Sequence, residues 1–332
     1  MERVYTMIYI YNKNTDPYFN LAAEEYVLKQ FSDECFMLWR NRPSIIIGKN
    51  QNALAEINLD YVKEHNIPVV RRLSGGGAVF HDLGNVNFTF IVNDDLNGFS
   101  DFRRFTQPII DVLRKLSLNA EFSGRNDITI DGKKISGNAQ YYYKNRILHH
   151  GTLLVSSNMA DLSAALKVRP IKFEDKGVKS VSKRVTNINE HLEKPIDIEE
   201  FINLIMDDIR LTTGGSGLYE FTDEDIRNIE RLRDEKYNTW EWNFGMSPDY
   251  NLKNEKKFSG GTVEVDLNVS DGIIRDIKIY GDFFGKKDVK DVEEMLKGVK
   301  HSENDIKNAL SSIDIGEYFS NITLENLLEV MF

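Results

Sequence analysis

The sequence predicts an α+β protein of two domains, on three observations. Its 332 residues are about twice the length of a typical domain. The middle of the chain reads as an antiparallel meander: Ile128-Thr129-Ile130 and Lys133-Lys134-Ile135 flank Asp131-Gly132, and a turn at Lys144-Asn145 leads into Arg146–Val155. Beyond Ser247-Pro248-Asp249 the pattern restarts, with Thr262–Val269 and Ile273–Tyr280 alternating around an Asp271-Gly272 turn and three helical stretches after them. The expected division is 1–246 and 247–332.

Taken in order, Asp16-Pro17 is an N-cap followed by proline at the first helical position, and Phe19, Ala22, Ala23, Tyr26, Val27 and Phe31 recur at helical spacing. Strands are expected at Cys35–Trp39, Ser44–Ile47, Pro68–Arg72 and Val86–Val92, the last alternating as a half-buried strand does. Asn58 caps a short helix. Phe102, Phe105, Ile109, Leu113 and Leu116 suit a helix that kinks or begins near Pro108. Gly214–Gly217 reads as a connector, Glu220–Tyr237 as a polar helix, and Trp240–Gly245 as an aromatic clasp closing the larger domain. In the smaller domain the helices fall at Asp288–Leu296, Glu303–Leu310 and a Thr323-capped stretch to Phe332.

Composition narrows the function. The formal charge of −10, with pI about 5.3, argues against a general nucleic-acid or anionic-membrane binder. Mean hydropathy is −0.41, no run approaches a membrane span, and the N-terminus lacks a signal-peptide core, so a cytoplasmic location is expected. The one cysteine, Cys35, cannot form an internal disulfide or a structural zinc site. It lies in an apolar stretch with no basic neighbour to activate it, and a structural role is expected.

The stretch Arg71–Asp82 (RRLSGGGAVFHD) carries the chemistry. Three successive glycines cost backbone entropy, and without Cβ atoms their amides can converge on an anion. Arg71 and Arg72 add guanidinium forks suited to phosphate or carboxylate; the bland alternative is a glycine-rich hairpin with surface arginines. Neither common nucleotide loop fits: Gly132-Lys133 has Asp127 where a P-loop needs glycine, and Gly75-x-Gly77 meets Phe80 where the dinucleotide fingerprint needs its third glycine. Lys134 sits beside Ser136-Gly137, and is either a cation that works on a ligand or an edge-strand lysine. His149 and His150 face opposite sides of one strand, which disfavours a metal pair. Lys167–Arg184 holds seven basic residues against two acidic ones, and reads as a solvated surface loop or as a flap over a phosphate-bearing ligand.

Six strings, in order, then resemble one family. They are RRLSGGGAVFHDLGN from Arg71, GRND from Gly124, KISG from Lys134, HHGTLL from His149, KGVKSV with SKRVTN from Lys176 to Asn187, and WEWNFG from Trp240. Together they are similar to the lipoate–protein ligases across nearly the whole chain. The resemblance implies a mixed, largely antiparallel-sheet catalytic domain of the biotin/lipoate ligase type, related to class II synthetases, with a small α+β C-terminal domain. It implies that lipoate and MgATP give lipoyl-adenylate, which a carrier lysine then attacks. The carriers would be lipoyl domains of 2-oxoacid dehydrogenase E2 subunits and the glycine cleavage H protein.

By motif match, Arg71, Gly76, Gly77, Ala78 and Val79 would bind ATP, while Ser74 and Gly75, with His81 and His150, would line the lipoate side. Lys134 would touch both the lipoate carboxylate and the α-phosphate; Lys176, Gly177, Val178, Lys179, Ser180 and Val181 would form the flap. Asp127 would be a Mg²⁺ ligand or else simply fix its hairpin. Three rivals stay open: an acyltransferase of the same fold working through a cysteine thioester, a non-catalytic lipoyl-binding protein, and a biotin ligase.

Overall fold

The computed structural model describes residues 7–51, 53–94, 100–166, 185–215, 217–244, 252–270 and 273–331. The expected flap, Lys176–Val181, lies outside them. In chain order the larger part comprises β1 (Met7–Asn12), α1 (Pro17–Gln30), β2 (Glu34–Trp39), β3 (Ser44–Ile47), α2 (Ala53–Glu56), α3 (Leu59–Glu64), β4 (Val69–Arg71), β5 (Val79–His81), β6 (Asn85–Asn93), α4 (Phe102–Lys115), β7 (Ala120–Ser123), β8 (Asp127–Ile130), β9 (Lys133–Tyr143), β10 (Arg146–Leu154), α5 (Met159–Ala165), α6 (Ile198–Thr213), α7 (Asp223–Leu232) and α8 (Trp240–Asn243). The smaller part comprises β11 (Leu252–Phe258), β12 (Gly261–Ser270), β13 (Ile273–Gly281), α9 (Val289–Leu296), α10 (Glu303–Leu310) and α11 (Leu324–Met331).

Seven strands form the main sheet in the order β1-β2-β6-β10-β9-β8-β7, parallel only between β1 and β2. The expected meander forms β8, β9 and β10 of this sheet. One face packs on α4 and α6 through Phe88, Phe90, Phe105, Ile109, Phe201 and Ile205; the other packs on α1 through Met37, Ile91, Ala22, Ala23 and Val27. Residues 85–93 of β6 are therefore buried on both faces, not half-buried as the alternation suggested: even positions enter the apolar core, and odd positions face α1 and a cavity.

The Gly75–Gly77 loop joins two strands of a separate three-stranded sheet, β4-β3-β5, in which β3 runs parallel to β4 and antiparallel to β5. So β2 and β3, adjacent in sequence, belong to different sheets. The α4 helix starts at Phe102, where Asp101 Oδ1 accepts from the Arg104 amide at 3.2 Å, and Pro108 lies inside it. Pro108 removes the bond to the Arg104 carbonyl, which lies on the exposed side of the helix, where water can replace it.

The smaller part has its own core of Val263, Val265, Leu267, Ile277, Phe283, Val292, Leu310, Phe319 and Leu327. Its sheet has three antiparallel strands, not the expected two, because the polar segment of β11 pairs along β12. This part touches the larger one at the glycine loop. Lys49 pairs with Asp288 at 3.0 Å, the Gly281 amide donates to the Asn50 carbonyl, and the Phe284 ring packs at a tilt against Phe102 with centroids 5.2 Å apart. A Cβ on Gly75 would collide with the Phe283 carbonyl, so Gly75 is required by close approach, while Gly76 needs glycine for its φ of +92°.

Candidate active site

A cavity of about 260 Å³ opens between the two sheets of the larger part, with Asp282 of the smaller part at its edge. Its floor follows one row of paired residues across five strands of the main sheet. Trp39 on β2 stands opposite Asn87 on β6, Asn87 opposite Thr152 on β10, and Gly137 on β9 opposite Asp127 on β8. The Gly137 amide donates to Thr152 Oγ1 at 3.2 Å, which joins the two halves of the row. At about 4.8 Å per strand, the row runs roughly 19 Å from an aromatic end to a charged one. Ile46, Gly76, Gly77, Ala78, Val79 and His81 of the small sheet and its loop form the roof.

At the charged end Lys134 Nζ lies 2.8 Å from Asp127 Oδ1, both side chains being about one-third exposed. The register slips at Ile128/Thr129, so that Ile135 is an extra residue in β9. Ile135 is thereby buried in the core, Lys134 lines the cavity, and Lys133 is left exposed. A Cβ on Gly137 would come 3.0 Å from Lys134 Nζ, so this glycine makes room for the lysine. Arg125 and Asp282 complete this end; the Arg125 guanidinium donates to the Gly260 and Asp282 carbonyls and lies 4.8 Å from the Phe284 ring centroid. Burial pushes the Arg125 pKa down. Sequence reading passed over Arg125, although it sits in the GRND string, and Asp282, which no local pattern marks.

The two arginines of the motif serve the loop from behind. Arg71 Nε and its two terminal nitrogens donate to the carbonyls of Trp242, Gly48, Lys49, Gln51 and Asn243, all at 2.6–3.0 Å, and the side chain lies outside this cavity. Arg72 lines the cavity but spends its donors on Ser74 Oγ and on the carbonyls of Gly75, Gly77 and Ile46. Burial lowers both pKa values to about 10, which leaves both groups cationic at neutral pH. Within the expected clasp, Asn243 and Trp242 are part of this support and grip the backbone of Arg71.

A buried relay runs under the floor. Trp39 Nε1 donates to Thr89 Oγ1 (3.0 Å) and Thr89 to Glu24 (2.6 Å). Glu24 also accepts from His150 Nδ1 at 3.0 Å. Nε2 of His150 is 2.6 Å from Ser74 Oγ, which in turn accepts from Arg72 Nε. Ser74, expected on the lipoate side, is 1% exposed, does not line the cavity itself, and meets it through His150 and Arg72. Glu24 was not picked out from sequence, where it is one of two adjacent glutamates on a helix. His149 points to the opposite face, stacked on Phe105 at 4.8 Å, and burial holds its pKa well below the usual imidazole range. Cys35 is fully buried away from the cavity, and burial pushes its thiol pKa up.

Residues 16–210 match the family described as "Lipoyl protein ligase A/B catalytic domain", and residues 247–331 match "Bacterial lipoate protein ligase C-terminus". The chain belongs to the lipoate–protein ligase family. It is 50% identical to lipoate–protein ligase 1 of Staphylococcus aureus over 98% of this chain and all of that one. It is 46% identical to the lipoate-protein ligase LplJ of Bacillus subtilis, again over 98% and 100%. Among solved structures it is similar to Plasmodium falciparum LipL1 in complex with lipoate (TM-score 0.78, 28% identity, 97% of each chain) and to a lipoate-protein ligase A bound with ATP (TM-score 0.63, 30% identity, 74% of this chain and all of that one). Among the described residues no helix is long and apolar enough to cross a membrane.

Proposed function

We propose that this chain joins lipoate to protein in two steps at the cavity described above: lipoate and ATP give lipoyl-adenylate and pyrophosphate, and a lysine amine of a carrier domain then displaces AMP. The supporting observation is the floor row itself, aromatic at Trp39 and charged at Asp127, which pairs with Lys134, in a chain that aligns end to end with lipoate–protein ligases. An acyl tail fits the first end and a reacting carboxylate with its phosphate the second.

In the first step a lipoate carboxylate oxygen attacks the α-phosphorus, pyrophosphate leaves, and charge builds on the phosphoryl oxygens. Two anions have to be held together, so a fixed cation and backbone amides are the catalyst required. We assign Lys134 to bridge carboxylate and α-phosphate, and the backbone from Gly76 to Val79 to hold the phosphates. Mg²⁺ arrives with ATP as part of the substrate. Asp127 and Asp282 line the cavity, and an ion of this kind keeps its waters and takes one or two carboxylates. Asp127 would exchange Lys134 for the metal. Arg71 could reach ATP only by giving up five carbonyls, so its part is to brace residues 48–51 beside the loop.

The thioester rival needs a thiol in the cavity, and Cys35 is buried elsewhere. Carrier choice among 2-oxoacid dehydrogenase E2 and glycine cleavage H proteins, the cytoplasmic setting, the flap role of Lys176–Val181 and the division into 1–246 and 247–332 complete the proposal. The test measures pyrophosphate release with lipoate, octanoate and biotin, then mass gain on an added lipoyl domain. Release that depends on biotin, or lipoyl transfer without ATP, would overturn it.

A further inference from the structure

Lys134, on which the proposed reaction turns, sits where its strand has parted from a neighbour. β10 pairs with β9 from Tyr143 to Asn138, and just beyond that ladder the Gly137 amide donates to a side chain, Thr152 Oγ1. On the other side, the extra residue at Ile135 interrupts the pairing with β8. Such a strand end is a poor mount for an ammonium that has to keep its place to within a fraction of an ångström.

The edge that β10 leaves is taken up from far along the chain. Val185 forms an isolated parallel bridge with Lys134, and the Thr186 amide donates to the Lys134 carbonyl at 2.9 Å. Thr186 is 2% exposed, and its hydroxyl is engaged twice by the 3₁₀ turn Ile188–His191. Oγ1 lies 3.0 Å from Glu190 Oε2 and 3.1 Å from His191 Nε2. A carboxylate only accepts, so the single hydroxyl proton goes to Glu190 and the imidazole Nε2 donates to Oγ1. The turn is itself anchored. Ile188 is buried in the main core, the Asn189 amide donates to the Val155 carbonyl at 3.2 Å, and Asn187 exchanges two bonds with the backbone of Ser157 at 2.8 and 3.0 Å. The His191 ring also stands 3.8 Å from Asp131, at the tip of the β8–β9 hairpin. One amide and one hydroxyl of Thr186 therefore tie the backbone of the lysine to a turn fixed in the core.

We infer that Thr186 is a positioning residue for Lys134: it holds the main chain at residue 134 where the ammonium can reach both anions, and it does not itself line the cavity. The inference rests on the proposed role of Lys134 and deepens it.

The test is single-turnover formation of lipoyl-adenylate by the full chain carrying Thr186→Val, which keeps the shape and loses the hydroxyl, or Thr186→Ser, which keeps the hydroxyl, each alone and with Lys134→Ala, with thermal melts alongside. A shift of about 1 Å in a catalytic group can cost ~10²-fold, so Thr186→Val is expected to slow the saturated rate by roughly tenfold to a hundredfold. The half-saturating concentrations of lipoate and ATP are expected to change far less, and Thr186→Ser to keep most of the rate. On top of Lys134→Ala, Thr186→Val should slow the reaction no further, because the amine it works through is already gone; a merely structural residue would add its own factor. His191→Phe removes the donor to the same hydroxyl at a part-exposed position; a several-fold loss with the same dependence on Lys134 is expected, and this variant decides the matter should Thr186→Val not fold. A wild-type rate in the deciding variant, or a loss that multiplies with that of Lys134→Ala, would overturn the inference and leave the role of Lys134 standing. If Lys134→Ala itself forms the adenylate at the wild-type rate, that role falls and the inference with it.

Discussion

Replacing Lys134 by alanine separates a working cation from a decorative one. Its ammonium is held 2.8 Å from Asp127 at the charged end of the cavity, next to the glycine loop. In the proposed reaction it meets charge that grows on the phosphoryl oxygens, so its loss should resemble removal of one oxyanion donor, ~10²–10³ in rate or about 3–4 kcal/mol. The structural cost is far smaller. Both partners of the ion pair are about one-third exposed, and such a pair is worth about 0–1 kcal/mol, a shift of at most ~2–4 °C in Tm for a domain of this size. Lys133→Ala is the control, because Lys133 is exposed on the same strand. Lys134→Arg should rescue poorly, since a planar fork cannot take the place of a compact ammonium between two anions. Single-turnover formation of lipoyl-adenylate, with melts alongside, decides the matter. A wild-type rate for Lys134→Ala would refute the assignment, and an equal loss in Lys133→Ala would show that the hairpin, not the charge, is at issue.

Cys35→Ser should retain most ligase activity and lose about 1–3 kcal/mol of stability from a buried hydroxyl, and the native thiol should resist iodoacetamide; near-complete inactivation of a well-folded variant would bring back the thioester route. His81 also makes a pH signature. Its folded pKa, about 3, lies below the ~6.5 of an unfolded histidine, so between those values the unfolded chain binds the extra proton; stability is fully present above pH ~6.5 and falls as the pH drops toward 3. Urea melts across that window should show a shallower slope for His81→Phe, and an unchanged slope would mean that the imidazole is not held neutral. Gly75→Ala puts a methyl group into the Phe283 carbonyl and should cost about 1–3 kcal/mol, seen as a lowered Tm; an unaltered melt would show that the loop and the smaller part do not meet this closely in solution.

Local chemistry was legible in the sequence where one strand or one turn decides it. Asp16, Asn58 and Thr323 cap the helices expected of them, and the Asp131-Gly132 hairpin is present with positive φ at both residues. The opposed faces of His149 and His150 also followed from period two. What could not be read needs partners far along the chain. Residues 198–213 form the 16-residue helix α6, to which sequence reading assigned nothing, although Asp197 caps it and Gly214 ends it in the left-handed region. The extra residue at Ile135 leaves no local mark. Arg71 and Arg72 look like phosphate forks until the carbonyls of residues 46–51, 75–77 and 242–243 are folded around them. The relay from Trp39 to Ser74 joins four separate elements and the glycine loop and has no motif of its own.

The two-sided burial of β6 means that residue parity works as an address. Val86, Phe88, Phe90 and Val92 hold the fold together, whereas Asn87 and Thr89, interleaved among them, serve the cavity and the relay beneath it, and Asn85 donates to Asn87. A lineage could therefore redraw what the cavity accepts by changing every second letter of this segment and leave the hydrophobic scaffold intact. A library confined to residue 87, which lines the cavity, should yield altered selectivity at little loss of folding, while one confined to residues 86, 88, 90 and 92, or to Ile91 in the core against α1, should yield mostly unfolded chains.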